Sequence, residues 1–394
     1  MEFSVNTFSA SVMDFTLKQK PAKLALFLRN SDLLSGNSKF YQLPISPKRR
    51  FSRKIMDFVP KIVAVAEKKL KNIEGVSEEL NSIASQKLDF APARRRVRSA
   101  FIEAQQQLDH PLFKLAPLGI RTEEWFETNS KGFEIFCKSW LPKRDVKIKA
   151  IVCFCHGYGD TCTFFFDGFG LSEGLHGYIP SFDELVNNVI ERYTSMKGRP
   201  EAKEVPRFLL GQSMGGAVAI KAHLKRPTDW DGVILVAPMC KIAEDVKPAP
   251  VVVKILTLIS NLFPEAKLVP ENNLGDLAFR ETSKKKMADY NVISYSDQMR
   301  LKTAMELLKA TKEIESQLEK VSSPLLVLHG AADKVTDPSV SKFLYEKASS
   351  KDKTLKLYPE GYHCILEGEP DERIFTVLAD IVAWLDSRCT GVNL

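Results

Sequence analysis

The chain has 394 residues and 44.3 kDa, with 44% hydrophobic and 27% charged residues, enough to bury a large core. A formal charge of +7 and a pI of about 8.9 are mildly basic. The excess gathers in the first hundred residues, as in Lys48-Arg49-Arg50 and Arg94-Arg95-Arg96, without the interleaved aromatics that read bases, so nucleic acid is not an expected partner. The most apolar run, Val251 to Phe263, is short and contains Lys254, which argues against a spanning helix. Seven scattered cysteines form no C-x-x-C pair and no Cys/His zinc spacing. They read as free thiols of a reducing compartment, with no metal site.

Residues 1–54 are rich in Ser, Lys and Arg, with only Glu2, Asp14 and Asp32 as acids. That composition fits an organelle transit peptide. The chloroplast is the expected destination, with the cytoplasm or a membrane surface as the alternative; an N-terminus without an address is the plain reading. Over residues 55–115, Ile55, Phe58, Val59, Ile62 and Val63 recur at helical spacing. This predicts an amphipathic extension that docks on the core or makes peripheral membrane contact.

The period then changes. Trp125 to Thr128 and Phe133 to Trp140 read as two strands around Asn129-Ser130-Lys131-Gly132, a hairpin signal. Short apolar runs follow at Ile151–Cys155, Phe208–Leu210, Val233–Val236 and Leu325–Leu328, with a less apolar fifth at Leu355–Tyr358 that suits an edge. Apolar strands alternating with helical stretches predict an α/β core with a mostly parallel sheet covered on both faces, over residues 116–240 and 321–394. Residues 241–320 lose the strand pattern and read as a helical insertion, a cap over the carboxyl ends of the strands where ligands bind.

Gly211-Gln212-Ser213-Met214-Gly215 fits G-x-S-x-G, a strained strand-to-helix turn that exposes a serine nucleophile. Gly170-Leu171-Ser172-Glu173-Gly174 fits it too, but only Ser213 follows an apolar strand and precedes an apolar helical run. A serine hydroxyl needs a base. In the order serine, acid, histidine, His363 follows the last strand, whereas His223 lies far along the helix after Ser213 and His329 precedes the acid. Asp333, in the loop after Leu325–Leu328, is the expected acid, with Asp337 the competitor that looks like a helix start. The N–H groups of Met214 and of Tyr158, within Cys155-His156-Gly157-Tyr158-Gly159, are the expected oxyanion donors.

From about Gly119 to Ser387, these motifs together resemble the plant monoacylglycerol lipase-like and caffeoylshikimate esterase-like branch of the α/β-hydrolases. Besides the residues above, His156 to Asp160, the stretch Gly168 to Pro180 and His329-Gly330 carry the likeness. The resemblance implies the α/β-hydrolase fold with a helical cap. It also implies hydrolysis of a carboxylic ester (a monoacylglycerol, lysophospholipid or phenolic ester) and no cofactor. The spacing from His156 to Ser213 departs from that pattern: about one strand-plus-helix unit, on the order of 25 residues, is missing. The shortfall predicts an unpaired edge at the Ile151 strand, or a hairpin moved over to fill it. It also keeps open an impaired or non-catalytic binding protein, beside an acyltransferase using the same triad.

Overall fold

Two helices open the described chain, α1 at Glu78–Ala84 and α2 at Ala91–Gln106. Ser77 caps α1, its side chain accepting from Leu80 N–H at 3.2 Å, and Pro92 starts α2 where a missing N–H costs nothing. The computed structural model describes residues 73–107, 120–161, 170–200, 204–243, 248–269 and 274–389, residue 145 excepted, all within the unit from Lys68 to Leu394. The expectations for residues 1–54, and for the helical repeat from Ile55 to Val63, lie outside the described residues.

Arg94, part of the basic run, is fully buried in α2. Its guanidinium donates to the carbonyls of Gly170 (2.6 Å), Leu88 and Asp89 (2.9 Å each), Ser172 (2.6 Å) and Gly174 (3.3 Å). Burial, then the neighbouring Arg95 charge, pushes it down to about 10, so it stays charged at neutral pH. Arg94→Met would strand several buried carbonyls. It is expected to cost about 3 kcal/mol, read as a lowered midpoint in urea unfolding with an unchanged m-value.

The hairpin pairs β1 (Ile120–Thr128) with β2 (Glu134–Pro142) antiparallel, Thr128 opposite Glu134. Asn129 closes the turn, its Oδ1 accepting from Lys131 N–H at 3.0 Å and Phe133 N–H at 2.9 Å. β2 is buried on both faces. Ile135 and Cys137 join the main core, while Phe136 packs with Val97 and Phe101 of α2.

Five strands, β3 (Ile151–Cys155), β4 (Arg207–Gln212), β5 (Gly232–Val236), β6 (Leu325–Gly330) and β7 (Lys353–Tyr358), form one parallel sheet in that order. All five apolar runs are strands, and the least apolar, β7, lies at an edge. On one face α3 (Phe182–Lys197) and α4 (Met214–Lys225) pack through Leu185, Val189, Val218 and Ala222.

Between β5 and β6 come α5 (Pro250–Leu262), α6 (Leu274–Ala278), α7 (Thr282–Ala288) and α8 (Leu301–Glu315). Of this stretch, α8 buries Leu307, Ala310 and Ile314 in the main core, whereas α5 leaves Val251, Ile255, Leu258 and Leu262 exposed. After β6, α9 (Pro338–Lys347) also joins the main core, through Val340 and Leu344. The opposite face of the sheet packs against α10 (Asp371–Asp386) through Val377, Ile381 and Trp384.

The hairpin does not join the parallel sheet, and among the described residues no strand pairs with the outer side of β3. This is the open edge that the short spacing before Ser213 predicts. Ala150, Val152 and Leu210, on the α10 side, are only partly buried. The six described cysteines are buried and free. Among the described residues, no helix is long and apolar enough to cross a membrane, and no three His, Cys, Asp or Glu side chains group as metal ligands.

Candidate active site

The run Gly211 to Gly215 forms a sharp corner between β4 and α4. Ser213 stands in it with φ 53° and ψ −120°, a conformation that costs a non-glycine residue about 1–3 kcal/mol. Backbone bonds hold it there: Ser213 N–H donates to Val236 O, and Ser213 O accepts from Gly216 N–H and Met239 N–H, all at 2.9 Å. Gly215 is required because any Cβ would overlap the carbonyl of Cys155 at the end of β3. The other G-x-S-x-G serine is a structural residue. Ser172 Oγ is buried and accepts from Phe136 N–H at 3.0 Å.

His363 lies in the loop after β7. Its Nε2 is 2.9 Å from Ser213 Oγ and its Nδ1 is 2.7 Å from Asp333 Oδ2. The loop reaches Ser213 because it passes directly over Gly330 at the end of β6, where any Cβ would overlap the Tyr362 carbonyl. Asp333 is buried and takes further bonds: Val335 and Thr336 N–H donate to Oδ1 at 2.7 and 3.1 Å, and Thr336 O–H donates to Oδ2 at 2.9 Å. Burial alone would raise the Asp333 carboxyl. The bonds from His329 and His363 outweigh it and hold the group far below the usual carboxylate range.

Two of the rejected candidates have other tasks. Asp337 caps α9, accepting from Ser339 N–H at 2.7 Å, and the His223 ring accepts from Ser322 N–H at 3.2 Å.

The loop after β3 runs past Ser213, since a Cβ on Gly157 would lie 3.5 Å from Ser213 Cβ. Tyr158 follows it, and Met214 opens α4 on the other side, where first-turn N–H groups have no intrahelical acceptor. Tyr158 O–H donates to Gly177 O at 3.3 Å, and its ring packs edge-on against Tyr295 of the stretch between β5 and β6. An imidazole bonded at once to a hydroxyl and a buried carboxylate can take the hydroxyl proton and hold it as imidazolium.

The family model described as serine aminopeptidase, S33 matches residues 165–371, more than half of the chain, spanning Ser213, Asp333 and His363. Caffeoylshikimate esterase of Arabidopsis thaliana is 33% identical over 292 residues, 68% of this chain and 87% of that protein. The chain belongs to this family of α/β-hydrolases. Human monoglyceride lipase is similar, at 30% identity over 66% of this chain and 89% of its own. Among solved structures, a soluble variant of Saccharomyces cerevisiae monoglyceride lipase with a substrate analog has a TM-score of 0.56, at 19% identity over 68% of this chain and 97% of that one. Monoacylglycerol lipase of Paleococcus ferrophilus has a TM-score of 0.52, at 22% identity over 68% and 99%. At these identities the two structures speak for the α/β-hydrolase fold alone.

Two groups in this α/β-hydrolase escape sequence reasoning. His329, set aside as a base, touches Asp333 (2.9 Å); its sequence signals are the His329-Gly330 pair of the family likeness and its place four residues before the acid, neither of which shows the contact. Glu367 lies behind the elbow, its Oε1 accepting from Gln212 Nε2 at 3.2 Å, and nothing in the sequence pairs two residues so far apart. Burial, then the charge of Asp160, pushes its carboxyl from 4.5 to about 7. A raised acid binds more protons folded than unfolded, so its neutral form stabilises the fold at low pH. That contribution declines as pH rises from about 4.5 to about 7. Glu367→Gln is expected to remove this part of the pH dependence, so that its melting temperature exceeds wild type at pH 8 by more than at pH 5.

Proposed function

We propose that the chain is a serine ester hydrolase acting on carboxylic esters through an acyl-enzyme. Ser213 is the nucleophile and His363 the base that takes its proton and returns it to the leaving alcohol. Asp333 keeps His363 in the tautomer with Nδ1–H and stabilises the imidazolium. The N–H groups of Met214 and Tyr158 receive the negative charge that develops on the carbonyl oxygen. Water then attacks the acyl-enzyme, His363 acting again as base.

The observation that carries this reading is the continuous line Ser213 Oγ, His363, Asp333, with links of 2.9 and 2.7 Å, on a serine held at φ 53°. The names of the relatives support a monoacylglycerol or a phenolic ester as substrate, and the resemblance read in the sequence adds a lysophospholipid. The exposed apolar residues of α5 favour a lipid ester among these.

A panel of a monoacylglycerol, a lysophospholipid and a phenolic ester tests it, with the free acid measured in water and the transferred ester measured with added alcohol. Release of acid, with the monoacylglycerol fastest, is expected. Product carrying the acyl group on the added alcohol in preference to water would make the protein an acyltransferase. A second reading rests on the open edge of β3, which adjoins the Tyr158 loop: a binding protein with an impaired site. Binding of an ester with no turnover by cooperatively folding protein would favour that second reading.

A further inference from the structure

Behind Asp333 the hydrogen bonds continue away from Ser213. His329, fully buried near the end of β6, places Nε2 2.9 Å from Asp333 Oδ2 and 2.9 Å from Thr336 O. Its Nδ1 is 2.7 Å from Ser341 Oγ in α9. Two acceptors face Nε2, so Nε2 carries the proton and Nδ1 accepts from the Ser341 hydroxyl. The same oxygen, Oδ2, also accepts from His363 Nδ1–H at 2.7 Å. One carboxylate oxygen thus serves two imidazoles. Among the described residues, both ion-pair contacts of Asp333 are to these histidines, and neither lysine nor arginine shares it.

We propose that His329 is a positioning residue for the ester chemistry, one that aims Asp333 at His363 and weakens the carboxylate's hold on the His363 imidazolium. This rests on the reading of Ser213, His363 and Asp333 as a triad. Each donor to a carboxylate oxygen stabilises its charge and leaves it a poorer acceptor for the remaining donors. A carboxylate served by His363 without His329 holds the imidazolium more strongly, which is expected to place the acid limb of the reaction rate at higher pH. Other titratable groups near this pair include Cys364 beside His363, with Glu367 and Asp160 acting on that thiol, and Asp337 at the start of α9; none of these is a donor to Asp333 Oδ2, whereas the Thr336 hydroxyl is, at 2.9 Å. The Ser341 hydroxyl matters because it fixes the tautomer: without it the ring is free to place its proton on Nδ1 and lose the bond to Asp333.

The test is the pH dependence of the rate of inactivation by a fluorophosphonate, for full-length wild type, His329→Leu and His329→Gln, with melting temperatures alongside. In His329→Leu the acid limb is expected to move up by about half a pH unit and the plateau rate to fall about tenfold. His329→Gln keeps an N–H donor on the side chain and is expected to restore the limb toward wild type. A His329→Leu protein that is slower but has the wild-type limb would make His329 structural and overturn the proposal. Should His329→Leu fail to fold, Ser341→Ala is expected to move the limb in the same direction by less, and an unmoved limb overturns the proposal equally. Wild type that folds but never reacts defeats the triad reading itself; wild type that reacts while the variants keep its limb defeats the His329 proposal alone.

Discussion

Ser213→Ala is expected to lower kcat for ester hydrolysis by on the order of a millionfold while leaving the melting temperature nearly unchanged. The loss follows from the proposed mechanism: without Oγ no acyl-enzyme forms, and His363 has no proton to take. The stability expectation follows from the elbow. Its bonds to Val236, Gly216 and Met239 are all made by the Ser213 backbone, and alanine occupies φ 53° at much the same cost as serine. The control is Ser172→Ala in the second G-x-S-x-G. It is expected to keep its activity and lose about 1–2 kcal/mol of stability, because the buried Phe136 N–H loses its acceptor. Equal loss of activity in both variants, measured as steady-state kcat, would contradict the assignment.

The second large effect is that of Asp333→Asn, expected to lower kcat about 10⁴-fold. Five hydrogen bonds converge on the two oxygens of Asp333, from His363, His329, Val335 N–H and both the hydroxyl and N–H of Thr336. An amide offers one acceptor and adds two donors. Turned with its oxygen toward Val335 and Thr336, it sets N–H against His363 Nδ1, and the ring adopts the tautomer that places a proton on Nε2 facing Ser213. The variant also has a pH signature. Because the folded carboxyl is depressed, its contribution to stability is present above the ordinary aspartate range and is lost as pH falls through its folded value. The stability gap between wild type and Asp333→Asn, measured by urea unfolding, is therefore expected to be wide at neutral pH and to narrow on strong acidification.

The three candidate site residues were legible because chain order carries them: serine after β4, acid after β6, histidine after β7. Each sits where a parallel sheet delivers its loops, and the structure brings them together at hydrogen-bond distances. The strands were legible for the same reason, since burial on both faces leaves a continuous apolar run. β1 begins at Ile120, five residues before the predicted start, because Arg121, Glu123 and Glu124 hide it. Their charges are met by ion pairs, Glu124 with Arg98 and Lys138, that no periodicity records.

Arg94 holds a place that composition hides. Within Arg94-Arg95-Arg96 it counts only toward the basic excess, yet it is fully buried against backbone carbonyls, chiefly of the loop from Gly170 to Gly174. Composition cannot tell a surface arginine from one that carbonyls solvate. Glu367 was missed because its partner follows from how the end of β4 faces the loop after β7, and His329 because its bonds to Asp333, Thr336 and Ser341 depend on how the chain folds back between β6 and α9. The shortened spacing before Ser213, by contrast, was a countable feature, and among the described residues β3 has no partner strand on its outer side.

Ser213 is expected to be an activated serine despite that open edge. The most direct measurement is covalent labelling of full-length wild type by a fluorophosphonate, with the modified residue located by mass spectrometry. The expected result is one stoichiometric adduct on Ser213, absent from Ser213→Ala and much slower in Asp333→Asn. Cooperatively folded wild type with no adduct, or with an adduct on Ser172, would contradict it.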